Sequence, residues 1–446
     1  MIDWQLKQKA FLDALLGKEE QTQTLAYGLD RPPFVAAYSP NECQGNPKAI
    51  NPLCGEPFPL DGSQNTAWLN QQTIDDAVHK DTDQRQYLKI WRDLPEILRE
   101  KAESKLKPYW DILPADPRMP SQSIWQHASL TSAFAGTNEN GQFKPALLMF
   151  TLASPQEFVS TARRTQDFWM GSFLYSYFSW KAIEAIASEC GPDCFINPSL
   201  RGEPLADWWL HKEGIRPLQG GDLDELKDLL KVPSVPNIFT ALVPAESAQS
   251  YAEKAEKAIR TVRDQVFNKV KAYVEDAATQ AEITLKGDLE WDSAWERQRK
   301  DFLEPNLFWV AYAFPEGDEA FNRYAKLQPP SEPHQVSVQK DIKDLYDLQD
   351  GQKNMGMAYP VVAPLTARFF STRKNLRHFD QVCEPNQKCS QCGIREALHP
   401  ERKDKKANNY QELRLFWEDL AKIGADEKVD KVKKKLAGRI RKGDRL

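Results

Sequence analysis

Cys383, Cys389 and Cys392, in the string Cys383-Glu-Pro-Asn-Gln-Lys-Cys389-Ser-Gln-Cys392, are the residues of this chain best suited to hold a metal. A structural zinc takes four ligands in a tetrahedron, usually thiolates or imidazoles. Cys389 and Cys392 form a Cys-x-x-Cys turn that supplies two. A second pair normally follows about 12–20 residues later, yet no cysteine follows Cys392 in the 446-residue sequence. Two closures stay open. Either Cys383 and His399 complete the site, or the missing ligands come from outside this polypeptide. His399 is the weaker ligand, lying close to Cys392 and preceding Pro400. Cys43 and Cys54, and Cys190 and Cys194, have no second pair nearby and read as packing residues or lone thiols.

Two other strings invite a catalytic reading. Gln219-Gly220-Gly221-Asp222-Leu223 resembles a Gly-Gly-Asp-Asp turn, in which adjacent acids hold two metal ions on a triphosphate. Here Leu223 stands where the second acid is needed, so Asp222 reads as the cap of a helix over 223–230. Ser154-Pro155-Gln156-Glu157 reads as a capping box at a strand-to-helix junction. Such a junction offers backbone N–H groups and a positive dipole end to phosphate, and Arg163 and Arg164 follow. A well-capped core helix is the simpler reading. The six histidines form no His-Asp doublet and no His-x-x-x-His, and Gly-x-Ser-x-Gly is absent, so no hydrolase is indicated. His127 reads as a satisfied buried histidine.

These residues need elements to position them. Apolar spacing predicts a helix over 2–17 and another over 84–110. Residues 18–80 read as long loops. Pro114, Pro117 and Pro120 break the chain before a helix over 124–134. Residues 146–152 (ALLMFTL) form a continuous apolar run, as in a buried strand. Helical stretches follow to about 188. Further short strands are expected at 194–197, 237–243 and 307–314, with a long helix over 246–278. The order βαββαβ predicts an α+β, ferredoxin-like (palm or cyclase-like) domain with an antiparallel sheet. This places a mostly helical region at 1–112, the palm at 113–316, and a helical zinc-knuckle region at 317–446 with a charged helix over 408–437.

Composition bounds the rest. Hydrophobic residues make up 41% and charged residues 28% of the chain, as in ordinary soluble proteins. A net charge of −5 does not announce a nucleic-acid binder, although Lys and Arg crowd residues 428–445. The N-terminal stretch lacks the pattern of a signal peptide. No apolar run of about 18 residues is present. The expected location is the cytoplasm, with reduced thiols and no membrane contact.

Three segments carry a resemblance: Leu113 to Ala133 (LPADPRMPSQSIWQHASLTSA), Ser154 to Ser172 (SPQEFVSTARRTQDFWMGS) and Asn197 to Pro204 (NPSLRGEP). They resemble the large polymerase-like subunit of type III-B CRISPR RNA-guided effector complexes, and residues 383–398 resemble the first arm of that family's zinc site. The resemblance implies a first palm, a zinc region and a second palm that makes cyclic oligoadenylate from ATP. In this chain no His-Asp nuclease motif precedes residue 100, and the second palm is expected to be missing from it. The expectation is therefore the N-terminal half of such a subunit, acting in antiviral defence as scaffold and nucleotide-binding half. Carried over by position, Ser154, Gln156, Arg163 and Ser199 are the nucleotide contacts, with ATP as candidate ligand. Cys383, Cys389 and Cys392 are a partial zinc site whose partners are expected beyond Leu446. Implied partners are the other effector subunits, crRNA and target RNA. Two alternatives are a separate second-palm polypeptide that completes an active synthase, and a zinc-dependent RNA-binding module.

Overall fold

The computed structural model describes residues 2–16, 25–26, 72, 83–102, 107–116, 119–162, 164–280, 282, 285, 291–303, 306–315, 355–376, 384, 388–389, 393–398 and 417. The chain divides into two compact units, each drawn from three separated stretches. One comprises 1–150, 183–255 and 308–375; the other comprises 151–182, 256–307 and 376–446. No helix among the described residues is long and apolar enough to cross a membrane.

The first unit begins with helix α1 (Trp4–Leu15), whose N-cap Asp3 accepts a bond from the Leu6 N–H at 2.9 Å. Helix α2 (Gln84–Lys101) starts the same way, with Asp83 accepting from Gln86 N–H at 2.8 Å. Satisfying an otherwise orphaned N–H is what fixes both starts. The sequence predicts one helix over 84–110. Instead α2 stops where Ala102 turns extended, and a separate 3₁₀ turn covers Lys107–Ile112. That turn carries Trp110, whose indole N–H returns 2.8 Å to the Pro95 carbonyl of α2. A two-strand ladder of β1 (Pro114–Asp116) and β2 (Met119–Ser123) leads into helix α3 (Ile124–Ala135), against which α1 packs. A small hairpin follows, β3 (Asn138–Glu139) with β4 (Gln142–Phe143).

The main sheet contains β5 (Pro145–Leu152), β6 (Phe195–Asn197), β7 (Ile238–Pro244) and β8 (Leu307–Ala313). Its order is β6-β7-β5-β8. β6 and β7 are antiparallel. Ala245 N–H bonds the Lys144 carbonyl at 2.9 Å, which sets the end of β7 beside the start of β5. Phe314 N–H bonds the Pro145 carbonyl, and Ala153 N–H bonds the Asn306 carbonyl, so β8 also runs against β5. The sheet is thus antiparallel throughout. β5 and β6 are separated by β7, and β7 and β8 by β5. The apolar run of β5 is nearly all buried, as a strand covered on both faces must be. Phe150 stacks on Phe239 at 5.1 Å, and Phe195 meets Phe239 edge-on at 5.5 Å. The four strands lie within a residue or two of the stretches read from the sequence.

After β5 come a short helix α4 (Pro155–Val159) and the long helix α5 (Thr165–Cys190). The two are separate helices, α4 ending at Val159 and α5 beginning at Thr165. After β6 come α6 (Pro204–Lys212) and α7 (Gly220–Leu229). Gln219, not Asp222, is the N-cap of α7, and Asp222 lies in its first turn. Helix α8 (Ala248–Gln280) joins β7 to the rest. In the second unit, α8 packs Val274 and Ala278 against Trp291 and Trp295 of α9 (Trp291–Asp301). Helix α10 (Tyr359–Asn375) belongs to the first unit, where Phe369 stacks on Tyr312 of β8 at 4.9 Å. Residues 18–80 are almost wholly outside the described residues, as are Cys43, Cys54 and the charged stretch 408–437 apart from Trp417.

Candidate functional site

A cavity of about 490 Å³ opens in the first unit between α2, α3 and the loop after β6. Its wall includes Trp91, Arg92, Trp110, Trp125, Ser129, Asp193, Ser199 and Arg201. The loop is fixed at both ends. Leu200 is 1% exposed, and Glu203 N–H returns to its carbonyl at 3.2 Å. Gly202 sits at φ +75°, a conformation that favours glycine. Glu203 then caps α6, accepting from Ala206 N–H at 2.9 Å and from Ser234 Oγ at 2.5 Å. Arg201 is therefore held on a short turn between two anchors.

The guanidinium of Arg201 lies over the Trp91 ring at 5.2 Å and the Phe11 ring at 5.6 Å. Its Nη2 donates to Ser129 Oγ at 3.0 Å. Ser129 Oγ also accepts from Trp91 Nε1 at 3.2 Å and donates to the Trp125 carbonyl at 2.9 Å. A hydroxyl has one proton and two lone pairs, so Ser129 is saturated. Arg201 Nη1 is enclosed and has no hydrogen-bond partner. Burial lowers the Arg201 pKa to about 10, against the pull of Tyr87, Asp193 and Asp111.

Three other cations of this region are committed. Arg92 grips Asp207 with two bonds of 2.6 and 2.7 Å and also holds Glu96. Arg216 reaches Asp93 at 2.9 Å, Asp207 at 3.0 Å and Glu96 at 2.8 Å. Lys7 pairs with Asp193 Oδ2 at 2.5 Å, and both side chains are shut off from solvent. Asp193 Oδ1 is buried without a hydrogen-bond partner.

The junction after β5 differs from its sequence reading. Ser154 sits at φ +61° in the left-handed region, and its side chain makes no capping bond. The capping box expected at Ser154–Glu157 is therefore not formed. A non-glycine residue in this region is strained, and it stands between the end of β5 at Leu152 and the start of α4 at Pro155. Phe158 anchors α4, meeting Tyr175 at 5.6 Å and Phe302 at 5.2 Å. Gly171 of α5 approaches closely: a Cβ there would stand 3.4 Å from Phe158 Cε1. Gln156 is exposed and Ser154 half-buried. Five residues of helix give little dipole, so the phosphate argument made for a long helix weakens here.

The cysteine hairpin belongs to the second unit. Cys389 is half-buried. Its carbonyl accepts from Gly393 N–H at 2.8 Å, and its N–H bonds the Arg395 carbonyl at 2.7 Å. Lys388 and Glu396 face each other across the hairpin, and Gly393 turns it at φ +66°. Cys392, Cys383 and His399 lie outside the described residues, and among those described no three His, Cys, Asp or Glu side chains form a metal site. Glu384 organises the hairpin. Its carboxylate accepts from Glu396 N–H at 2.7 Å and from Lys388 Nζ at 2.8 Å. Burial raises its pKa, but Lys388, the Glu396 N–H and Arg395 outweigh that and hold it below its usual value. Arg297 of α9 then clamps Glu396 with bonds of 2.6 and 3.0 Å.

Of the sequence-derived nucleotide contacts, Ser199 lines the cavity, Ser154 and Gln156 lie in the other unit, and Arg163 lies outside the described residues. Cys190 and Cys194 are both buried, as read. Sequence reasoning passed over Arg201, Ser129 and Trp91. The available signal was Arg201 itself, between a buried leucine and a turn glycine.

Residues 147–268 match the family described as CRISPR-associated protein Cmr2, N-terminal. The CRISPR system Cmr subunit Cmr2 of Pyrococcus furiosus is 33% identical over 151 residues, covering 30% of this chain and 17% of that protein. The CRISPR system CMR subunit Cmr2 of Saccharolobus solfataricus is 30% identical over 124 residues, covering 27% of this chain and 12% of that protein. The matched part is thus under a fifth of either relative. Among solved structures, a type III-B Cmr-beta complex in the apo state aligns with TM-score 0.44 and 18% identity, over 77% of this chain and 35% of that one. The type III-B Cmr-beta bound to cognate target RNA aligns with TM-score 0.49 and 18% identity, over 98% and 44%.

Proposed function

From a chain that carries the N-terminal Cmr2 sequence family and resembles the large subunit of type III-B CRISPR systems, we propose a scaffold and nucleotide-binding role in an RNA-guided antiviral complex. The observation that carries the reading is the family match over 147–268, which takes in β5 through most of α8. The strand order β6-β7-β5-β8, with each βαβ unit split by a strand of the other, supports a ferredoxin-like palm. Phe168, Trp169 and Met170 on α5 are 56%, 39% and 36% exposed. Exposed aromatics and Met of this kind suit a protein interface, and so support assembly with other effector subunits.

Ser154, Gln156, Arg163 and Ser199 are the proposed nucleotide contacts, with ATP as ligand. Two-metal phosphoryl chemistry needs paired acids. Gly220-Gly221-Asp222 begins a helix, which favours a contributing half over a self-sufficient synthase. Zinc would be held by Cys389, Cys392 and Cys383, where it would supply a structural crosslink.

Co-expression tests the reading. The tagged chain is expected to recover the other type III-B subunits together with crRNA and to retain target RNA. Recovery of the chain alone, without subunits or RNA, would overturn it.

A further inference from the structure

We propose that the cavity walled by Trp91, Ser129, Ser199 and Arg201 takes up a phosphate group, with the Arg201 guanidinium as the cation of its wall. This deepens the nucleotide reading at Ser199 and rests on it only for the choice of ATP and RNA as probes.

Ser129 has spent its proton and both lone pairs. Arg92 is held by Asp207 and Glu96, which Arg216 also engages. Asp193 is neutralised by Lys7. Asp111, an exposed wall residue, acts on Arg201 only through space. Among the described residues no carboxylate bonds Arg201. The Arg201 charge therefore sits in the wall without a bonded counter-ion.

An enclosed N–H that has lost its water without gaining a partner is costly. Arginine stays charged at neutral pH, so the cost is not relieved by giving up a proton. The Trp91 and Phe11 rings fix the guanidinium plane before any ligand arrives. Guanidinium and phosphate oxygens match in geometry, and the bond is strengthened where water is excluded. A volume of about 490 Å³ admits more than a bare phosphate. The phosphate can therefore belong to a mononucleotide or to an RNA strand.

The test compares wild type with Arg201→Met and Arg201→Lys in the full chain. Inorganic phosphate, ATP and a short single-stranded RNA are titrated, with Kd read by calorimetry and Tm by scanning fluorimetry. Inorganic phosphate is expected to raise the wild-type Tm saturably. Arg201→Met is expected to weaken phosphate at least about ten-fold while keeping or raising the ligand-free Tm, since an unmatched buried charge has been removed. Arg201→Lys keeps the charge and loses the fork, and is expected to fall between. ATP binding without RNA, or the reverse, identifies the source of the phosphate. Phosphate binding without either would remove the nucleotide reading and leave this one standing. A wild type whose Tm and calorimetric trace ignore phosphate, or an Arg201→Met variant that binds it as tightly as wild type, would overturn the proposal.

Discussion

The Lys7 ammonium and the Asp193 carboxylate meet at 2.5 Å, 186 residues apart in sequence, with side chains 1% and 0% exposed. The pair ties α1 to the turn before β6. Losing one member strands the other charge in a dry interior. Lys7→Met or Asp193→Asn alone is expected to cost about 3–5 kcal/mol. The double change Lys7→Met with Asp193→Leu removes both charges and is expected to cost less than either single change. Urea unfolding of the three variants measures this. A double variant as damaged as the sum of the singles would refute it.

Arg297 and Glu396 make a second pair, with the Arg297 side chain 26% and the Glu396 carboxylate 0% exposed. Arg297→Ala leaves that carboxylate without its fork. The expected loss is about 1–3 kcal/mol. Hydrogen exchange reports it as faster exchange at Cys389 and Gly393, with the main sheet unchanged.

Glu384 gives the hairpin a pH limit. Its folded pKa lies below the ordinary 4.5. A depressed carboxylate contributes its full stability above about 4.5 and loses it as pH falls through the lower folded value. Amide protection of Glu396 is therefore expected to be flat above pH 5 and to fall below about 4.5. Glu384→Gln is expected to remove that step and lower the plateau.

Cys389→Ser tests the metal. With zinc held by Cys383, Cys389 and Cys392, the wild type is expected to bind zinc measurably by elemental analysis and the variant markedly less. Because Glu384 and Arg297 brace the hairpin, chelation is expected to leave most of its amide protection in place. Equal zinc in both proteins would rule Cys389 out as a ligand.

Phe150→Ala removes the ring stacked on Phe239 at 5.1 Å. Phe150 is 1% exposed, and deletions of this kind cost about 3–5 kcal/mol. The sheet is expected to lose stability as one cooperative unit, read by circular dichroism during denaturant unfolding.

β5 is legible because burial on both faces forces a continuous apolar run, as Ala146 to Leu152 shows, and β8 is as apolar although mostly half-buried. Long helices such as α8 are legible from periodicity. Turns are less so. Ser154-Pro155-Gln156-Glu157 has the letters of a capping box, yet Ser154 takes a left-handed turn instead, because the chain must leave β5 at an angle that local letters do not encode. Asp222 looks like a cap and lies inside a helix that starts two residues earlier. For the cavity, Ser199 was reachable from a local motif. Arg201 was not. What encloses it are Phe11, Trp91 and Ser129, all distant in sequence, and no periodicity announces a meeting between distant segments.

The neighbour relation of β5 and β8 has a consequence for synthesis. β5 is complete at Leu152, but the strand that covers its outer edge begins at Leu307. At about 5–20 residues per second, a ribosome takes roughly ten to thirty seconds to deliver that cover. Throughout that interval an apolar strand presents unpaired amides and carbonyls to every neighbouring nascent chain. The sheet's topology thus makes the growing polypeptide a client for chaperones before it is a component of anything else.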